Sequence, residues 1–309
     1  MFEIIKPGTK FDFMRRKWIA FLISGLFTMA GIIGIISLIV QGTNSLHYGI
    51  DFSGGTLVQV KFSQPVAIDA IRGALQEGGL EGASVQGFEA EGKGEYLIRL
   101  QRSSPDLAGL SSVIKTALVK HFDEKAFEIR RVEMVGPKVG KDLLANGVWA
   151  TIIAMAMMLI YISFRFDFRF AVGAVIALFH DVTVTIGVLY FLNIEFSLLI
   201  LAALLTIVGY SINDTIVVYD RVRENQPKMR REPFEKMLNI TVNETLSRTI
   251  LTGMSTLMVL VVLFFMGGGV IHDFTFTLLV GIVFGTYSSV YIASASVLVW
   301  ENKFPKKQR

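Results

Sequence analysis

Six stretches of the chain are apolar for long enough to cross a hydrocarbon core of about 30 Å: residues 18–40, 147–164, 170–192, 196–219, 249–266 and 274–299. Between the first two the pattern changes. Alternation of apolar and polar positions over 57–62 predicts a strand, and 68–77 carries helical spacing that stops at Gly78-Gly79. Residues 84–90 and 95–102 are strand candidates joined by the turn-forming Glu91-Gly92-Lys93-Gly94. Pro105-Asp106 opens a second helix through 107–121, and 127–135 is a last strand. This β-α-β-β-α-β order suits a ferredoxin-like sandwich with both helices on one sheet face. The expected division is an arm at 1–17, a first span at 18–40, an α+β domain at 41–141, spans two to six within 142–299 with a loop at 220–243, and a tail at 300–309.

Composition supports the membrane reading, since 52% of the 309 residues are hydrophobic, only 18% are charged and mean hydropathy is +0.54. The first apolar run is too long for a cleavable signal and lacks a small-residue cleavage site after it, so it is expected to stay as an anchor. The absence of cysteine excludes disulfides and thiol-based metal or redox chemistry. A pI near 9.2 invites a nucleic-acid reading, but the basic residues flank the spans and act as topology signals instead. They fall in the arm (Lys6, Lys10, Arg15, Arg16, Lys17), beside the second span (Arg165, Arg169), at 221–236 and in the tail, whereas the turns at 193–195 and 267–273 carry none. Both termini are therefore expected in the cytoplasm, with 41–141 outside.

The loop at 220–243 reads in two ways. It is a solvated basic connection broken by Pro227 and Pro233, or its second half is an interfacial amphipathic helix with Phe234, Met237, Leu238 and Thr241 at helical spacing. The sixth span carries small residues every fourth position, Gly281, Gly285, Ser289 and Ala293, a period that lets helix backbones approach closely in lipid.

Ionisable residues inside the spans are few: His180 and Asp181 in the third, Asp214 in the fourth, Arg248 at the start of the fifth. Each central Asp or Arg costs about 2.5 to 3.5 kcal/mol to insert and needs a reason. Asp214, with Asn213, Ser211 and Thr215 nearby in sequence, reads as a titratable carboxylate whose charged form Arg248 would hold; the alternative is a static ion pair that sets helix register. His180 and Asp181 form a secondary candidate pair, against the alternative that His180 only bonds a neighbouring helix. The glycine-rich run 49–55 lacks the Gly-Lys-Ser/Thr ending of a phosphate loop and reads as a turn into the first strand. With no catalytic triad, metal-ligand spacing or paired-carboxylate site, the chain is expected not to be an enzyme and to need no metal or cofactor.

The run Gly209-Tyr210-Ser211-Ile212-Asn213-Asp214-Thr215-Ile216-Val217-Val218-Tyr219-Asp220-Arg221-Val222-Arg223-Glu224-Asn225 resembles the signature of SecF, the smaller half of the bacterial SecDF protein-export factor. Residues 49–56, Val135-Gly136-Pro137 and Gly285-Thr286-Tyr287-Ser288-Ser289 are similar to that family's other motifs, so the resemblance covers essentially the whole chain. It implies a member of the resistance-nodulation-division superfamily in the bacterial inner membrane, driven by proton-motive force, with protons as the coupling ion. The implied partners are SecD, the SecYEG channel, accessory translocon subunits, the unfolded chain in transit and membrane lipid, without nucleic acid. The family's essential fourth-span Asp and fifth-span Arg fall on Asp214 and Arg248. Superfamily transporters pair two six-helix halves, and this chain carries one, so a second polypeptide is implied. Two rival classes are a small-molecule or lipid exporter half, which the compact insertion is too small to serve, and a non-transporting translocon scaffold, which would need no intramembrane acid.

The orientation is tested with single cysteines, which this chain reads without background. A cysteine at Ser104 is expected to react with an impermeant reagent from outside the cytoplasmic membrane; labelling only after permeabilisation would reverse the topology.

Overall fold

The computed structural model describes residues 9–42, 48–80, 83–87, 94–100, 107–267 and 269–304. The chain forms two compact units: Met1–Val40 with Trp149–Ile194 and Leu199–Arg309, and Gln41–Val148 with Glu195–Leu198. Helix α1 (Lys17–Gln41) belongs to the first unit. The second begins with a short helix, α2 (Ile50–Ser53), and continues as β1 (Gly55–Phe62), α3 (Ile68–Glu77), β2 (Ser84–Gly87), β3 (Glu95–Leu100), α4 (Leu107–Val119) and β4 (Phe127–Val135). The expected strand at 84–90 is described only to Gly87 and that at 95–102 only to Leu100, because 88–93 and 101–106 lie outside the described residues; the helix expected to reach 121 ends at Val119.

The sheet order is β2-β3-β1-β4 with every neighbouring pair antiparallel, which is the ferredoxin-like arrangement. Alternation along β1 decides its faces. Val58, Val60 and Phe62 are buried with Ile98, Leu100, and Ile71, Leu75, Ile114 and Leu118 of the two helices. Gln59 and Lys61 point the other way and converge on Glu95, which also accepts from Arg130 at 3.1 Å. On the same polar face Arg99 is buried, donates to the Tyr48 carbonyl at 3.0 Å and pairs with Glu195. Burial pushes the Arg99 guanidinium down to about 10, so it is still charged at neutral pH and needs a carboxylate beside it. At the sheet's start, Gly54 takes φ +73°, and a Cβ there would lie 2.7 Å from the Cα of Pro137. Only glycine lets this turn lie against the backbone that opens the next helix.

That helix is α5 (Pro137–Arg165), followed by α6 (Phe168–Phe191), α7 (Leu198–Asn225), α8 (Phe234–Met266) and α9 (Gly269–Ser288), which continues through a π turn at Ser289–Ala293 into α10 (Ser294–Lys303). With α1, six helices are long and apolar enough to cross a membrane. Two boundaries differ from expectation. The second span starts at Pro137 rather than after 141, and only 226–233 of the expected loop at 220–243 is non-helical. The second half is helical from Phe234, as the amphipathic reading has it, but Met237, Leu238 and Thr241 are buried, the first two in the bundle core with Tyr219 and Val222, rather than turned to an interface. The turn at 267–273 shortens likewise, as α9 starts at Gly269.

The spans are unequal. In their most apolar windows α6, α7 and the sixth span are 61%, 50% and 56% buried, whereas α1, α5 and α8 are 22%, 6% and 17% buried. The first three are the inner layer of the bundle, and they carry the buried His180, Asp181 and Asp214.

The Arg99 pair generates a prediction for a double-mutant cycle. Arg99→Met or Glu195→Leu alone is expected to cost about 3 to 5 kcal/mol of stability, since each leaves a charge behind, while the double variant recovers most of that. Thermal unfolding of the solubilised protein measures both; strictly additive losses would show that the two charges are not coupled.

Candidate functional site: two carboxylates in the inner layer

Hydrocarbon offers no water to a polar group, so each polar side chain on the inner helices must find its partner in the protein. Asp181 does so completely. It is 0% exposed and roughly 20 Å along α6 from Phe168. Its Oδ2 accepts from Ser211 Oγ of α7 at 2.6 Å and from Ser288 Oγ of α9 at 2.7 Å. Its Oδ1 lies 2.9 Å from Nδ1 of His180. One carboxylate thus ties together all three inner helices. Charge-assisted bonds contribute about 1.5 to 3 kcal/mol each, so three donors outweigh an insertion cost of about 2.5 to 3.5 kcal/mol.

Asp214 is placed differently. It is 2% exposed, and among the described residues its Oδ2 has no hydrogen-bond partner. One turn earlier on α7, Tyr210 Oη is also buried without a partner, as is Thr286 Oγ1 on α9. These two groups flank Gly253 of α8, where an added Cβ would stand 3.4 Å from Thr286 Oγ1 and 3.9 Å from Tyr210 Oη. Arg248 forms no ion pair with Asp214 among the described residues; it is exposed, and its charge acts on the carboxylate through space. A cavity of about 600 Å³ opens beside it, lined by Arg165, Asn213, Asp220, Glu244, Thr245 and Arg248. The static Asp214–Arg248 pair is therefore not what the structure holds. Of the polar neighbours read around Asp214, Ser211 is committed to Asp181, Asn213 is exposed and lines the cavity, and Thr215 is buried.

Charged pairs pin the helix ends around this cavity. Arg165 bonds Asp220 at 2.8 Å, and Arg221 bonds Glu244 at 2.6 Å and Glu224 at 2.8 Å. Arg169, buried, pairs with Glu301 of α10. Asn225 donates to Thr241 at 3.0 Å and to Glu244 at 2.8 Å, which holds the last turn of α7 against α8.

The small-residue stripe of the sixth span faces partners in the same chain. A Cβ at Gly281 would collide with the Ile207 side chain, and one at Gly285 would lie 3.1 Å from Ser211 Cβ, so at these two positions α9 has room for α7 only because it carries no side chain. Ser289 is buried and donates to the Thr286 carbonyl, while the Ala293 carbonyl accepts from Tyr219 Oη at 3.3 Å. This closeness lets both Ser211 and Ser288 reach one Asp181 oxygen. Sequence reasoning missed Ser288, Tyr210 and Thr286 as site residues. Ser288 and Thr286 stood within the quoted motif 285–289, but helical spacing alone does not tell which hydroxyl of two adjacent serines turns inward.

Residues 114–303 match the family described as protein export membrane protein SecD/SecF, C-terminal, and residues 36–66 match the SecD/SecF GG motif, which contains the Gly54 turn. The chain is 46% identical to protein translocase subunit SecF of Magnetococcus marinus, over 97% of this chain and 94% of that one. It is 39% identical to the same subunit of Escherichia coli O157:H7, over 96% and 90%. The chain belongs to the SecF family. Among solved structures, SecDF from Thermus thermophilus, described as a translocon-associated membrane protein, superposes with a TM-score of 0.85 at 35% identity. That match covers 96% of this chain but only 39% of the longer SecDF chain. A second crystal structure, of SecDF in a super-membrane-facing form, aligns with a TM-score of 0.70. With SecF as the family and six apolar spans, the architecture is a resistance-nodulation-division-type half with an inserted ferredoxin-like domain, in an inner-membrane protein.

The α7–α9 contact sets up a direct comparison. Gly285→Leu must force Ser211 away and is expected to weaken export or partner assembly, whereas Val283→Leu, on an exposed position of the same helix, is expected to change neither. Export assays and pull-down of the partner subunit read both; equal tolerance would make the stripe incidental.

Proposed function

We propose that the chain is the SecF-type half of a proton-motive-force-driven factor that, together with SecD and the SecYEG channel, promotes protein export across the cytoplasmic membrane. Both termini lie in the cytoplasm and the inserted domain outside, as the Lys and Arg distribution supports. A partner follows from the length relation, because this chain matches only 39% of the solved SecDF chain and six-helix halves of this superfamily work in pairs. The factor moves protons and carries out no bond chemistry, so it is not an enzyme and needs no cofactor.

The observation that carries this reading is Asp214 itself: a carboxylate buried in the inner layer, with an oxygen that has no partner among the described residues, next along α7 to Asn213, which lines a charged cavity together with Arg248. A proton arriving at that oxygen removes one negative charge from the bundle, and its departure restores it. Arg248, unpaired with Asp214, is placed to respond to either state through its field rather than through a rigid bond. Each proton moved fully across the membrane releases about 2.3 kcal/mol per 100 mV, which is on the scale that separates two packed conformations of a switching protein. Charge changes at Asp214 then bias which packing the bundle adopts. The non-transporting scaffold reading leaves this buried acid without a purpose.

Asp214→Asn keeps size and hydrogen-bonding while fixing the neutral form. The variant is expected to insert, fold and bind SecD, yet to lose the stimulation of late, ATP-independent export by a proton gradient, and Arg248→Met is expected to do the same. Completion of a stalled translocation intermediate in vesicles, with and without a gradient, decides this, and full stimulation in Asp214→Asn would sink the assignment.

A further inference from the structure

The proton-coupling reading uses Asp214 and leaves the second buried carboxylate, with its histidine, unexplained. Asp181 meets three donors: two serine hydroxyls on Oδ2 and His180 on Oδ1. The Ser288 hydroxyl is also 3.0 Å from the Gly285 carbonyl, but its shorter contact is the carboxylate. With His180 Nδ1–H donating to Asp181 Oδ1 across 2.9 Å, Nε2 is the nitrogen that carries the lone pair. His180 is 4% exposed, and Nε2 is buried with no hydrogen-bond partner among the described residues. A satisfied structural histidine would use both nitrogens, so this one has a basic atom left open inside the protein.

We propose that His180 and Asp181 form a second proton-loading site, with the proton taken up at His180 Nε2. It rests on the proton-coupled reading above. The step balances simply. A hydronium ion gives its proton to the Nε2 lone pair and leaves as water, an Nε2–H bond forms, and the pair passes from net −1 to net zero. The imidazolium so formed keeps its Nδ1–H on the Asp181 carboxylate, so the new charge appears beside its counter-ion and not in bare hydrocarbon. The groups facing the pair are Ser211 from α7, and Ser288, Phe284 and Tyr287 from α9, the two rings lying 6.4 Å from the imidazole. The Tyr287 hydroxyl is engaged with Ser24 and the Ala20 carbonyl of α1. On α6 itself, Thr185 bonds the Asp181 carbonyl. Among the described residues no Lys, Arg or other carboxylate pairs with either member. Ser211 also stands one helical turn from Asp214, about 4.5 Å along α7, so the two loading sites occupy successive levels of the same helix and a change of charge at one is felt at the other.

The test separates this site from Asp214. His180→Asn preserves an amide donor toward Asp181 but removes the titratable nitrogen. In proteoliposomes holding the assembled complex and a stalled export intermediate, it is expected to retain assembly and to lose gradient-stimulated completion by at least about tenfold. Full stimulation in His180→Asn alongside loss in Asp214→Asn overturns the second site alone; full stimulation in Asp214→Asn overturns the underlying reading. A direct measurement covers the case in which His180→Asn fails to insert. With His47, His121 and His272 changed to Gln, the full chain labelled with nitrogen-15 histidine in lipid nanodiscs reports His180 alone. Its Nε2 resonance is expected to move from the unprotonated to the protonated position as pH falls between about 9 and 5, with Nδ1 protonated throughout. A resonance that stays put over that range overturns the proposal whatever the transport assay gives.

Discussion

A carboxylate in hydrocarbon must be met by donors, and the inner layer of this bundle is arranged around that demand at Asp181. The donors come from α7 and α9, so those helices have to approach α6 and each other closely enough for two short hydroxyls to reach one oxygen. Gly281 and Gly285 remove the side chains that would hold α9 off α7. Without the small residues the hydroxyls fall short, and without the carboxylate the three helices lose a group bonded to all of them and keep pairwise polar contacts such as Arg169 with Glu301 and Tyr219 with the Ala293 carbonyl.

Asp214 lies a turn away under the opposite condition. Asp181 meets three donors, whereas Asp214 has an oxygen with no partner among the described residues. Saturation specifies a structure; incomplete satisfaction leaves a group able to change state. The two acids thus divide one task between them. The first holds the inner helices in place, and the second sits on a helix so held, where a single charge is not averaged away by loose packing.

Much of this was legible in the chain and some was not, for identifiable reasons. The ferredoxin-like order could be read because strands that bury one face alternate, and β1 places Val58, Val60 and Phe62 inward while Gln59 and Lys61 point to Glu95. The membrane spans could be read because lipid demands length and apolarity. Asp214, Arg248, Asp181 and His180 stood out because charge inside a span is costly. What pairs with what could not be read. Periodicity reports the face of a helix but not its neighbour, so Ser211 was assigned to the acid on its own helix and belongs to one on another. The segment after Asp220 looked like a loop because it is basic and contains Pro227 and Pro233. It is helical almost to the first proline because Asn225, Thr241, Arg221 and Glu244 bond across the two helices, a contribution invisible along the chain.

The π turn at Ser289–Ala293 concerns phase. One residue beyond the α-helical repeat turns everything after it by about 100° relative to an unbroken helix. Before the turn the sixth span presents Gly281 and Gly285 to α7 and Ser288 to Asp181 of α6; the Ala293 carbonyl at the end of the turn accepts from the Tyr219 hydroxyl of α7, and beyond it Val297 lies against Gly173 of α6. The Ser289 carbonyl, released from its usual place in the ladder, takes the Ser294 hydroxyl at 2.9 Å. The span thus keeps both α6 and α7 as neighbours on either side of the turn, and its length is constrained in a way that loops are not. Losing a single residue here would not shorten the helix noticeably, but it would rotate the whole of α10, with Glu301 and its bond to Arg169, out of alignment with the rest of the bundle.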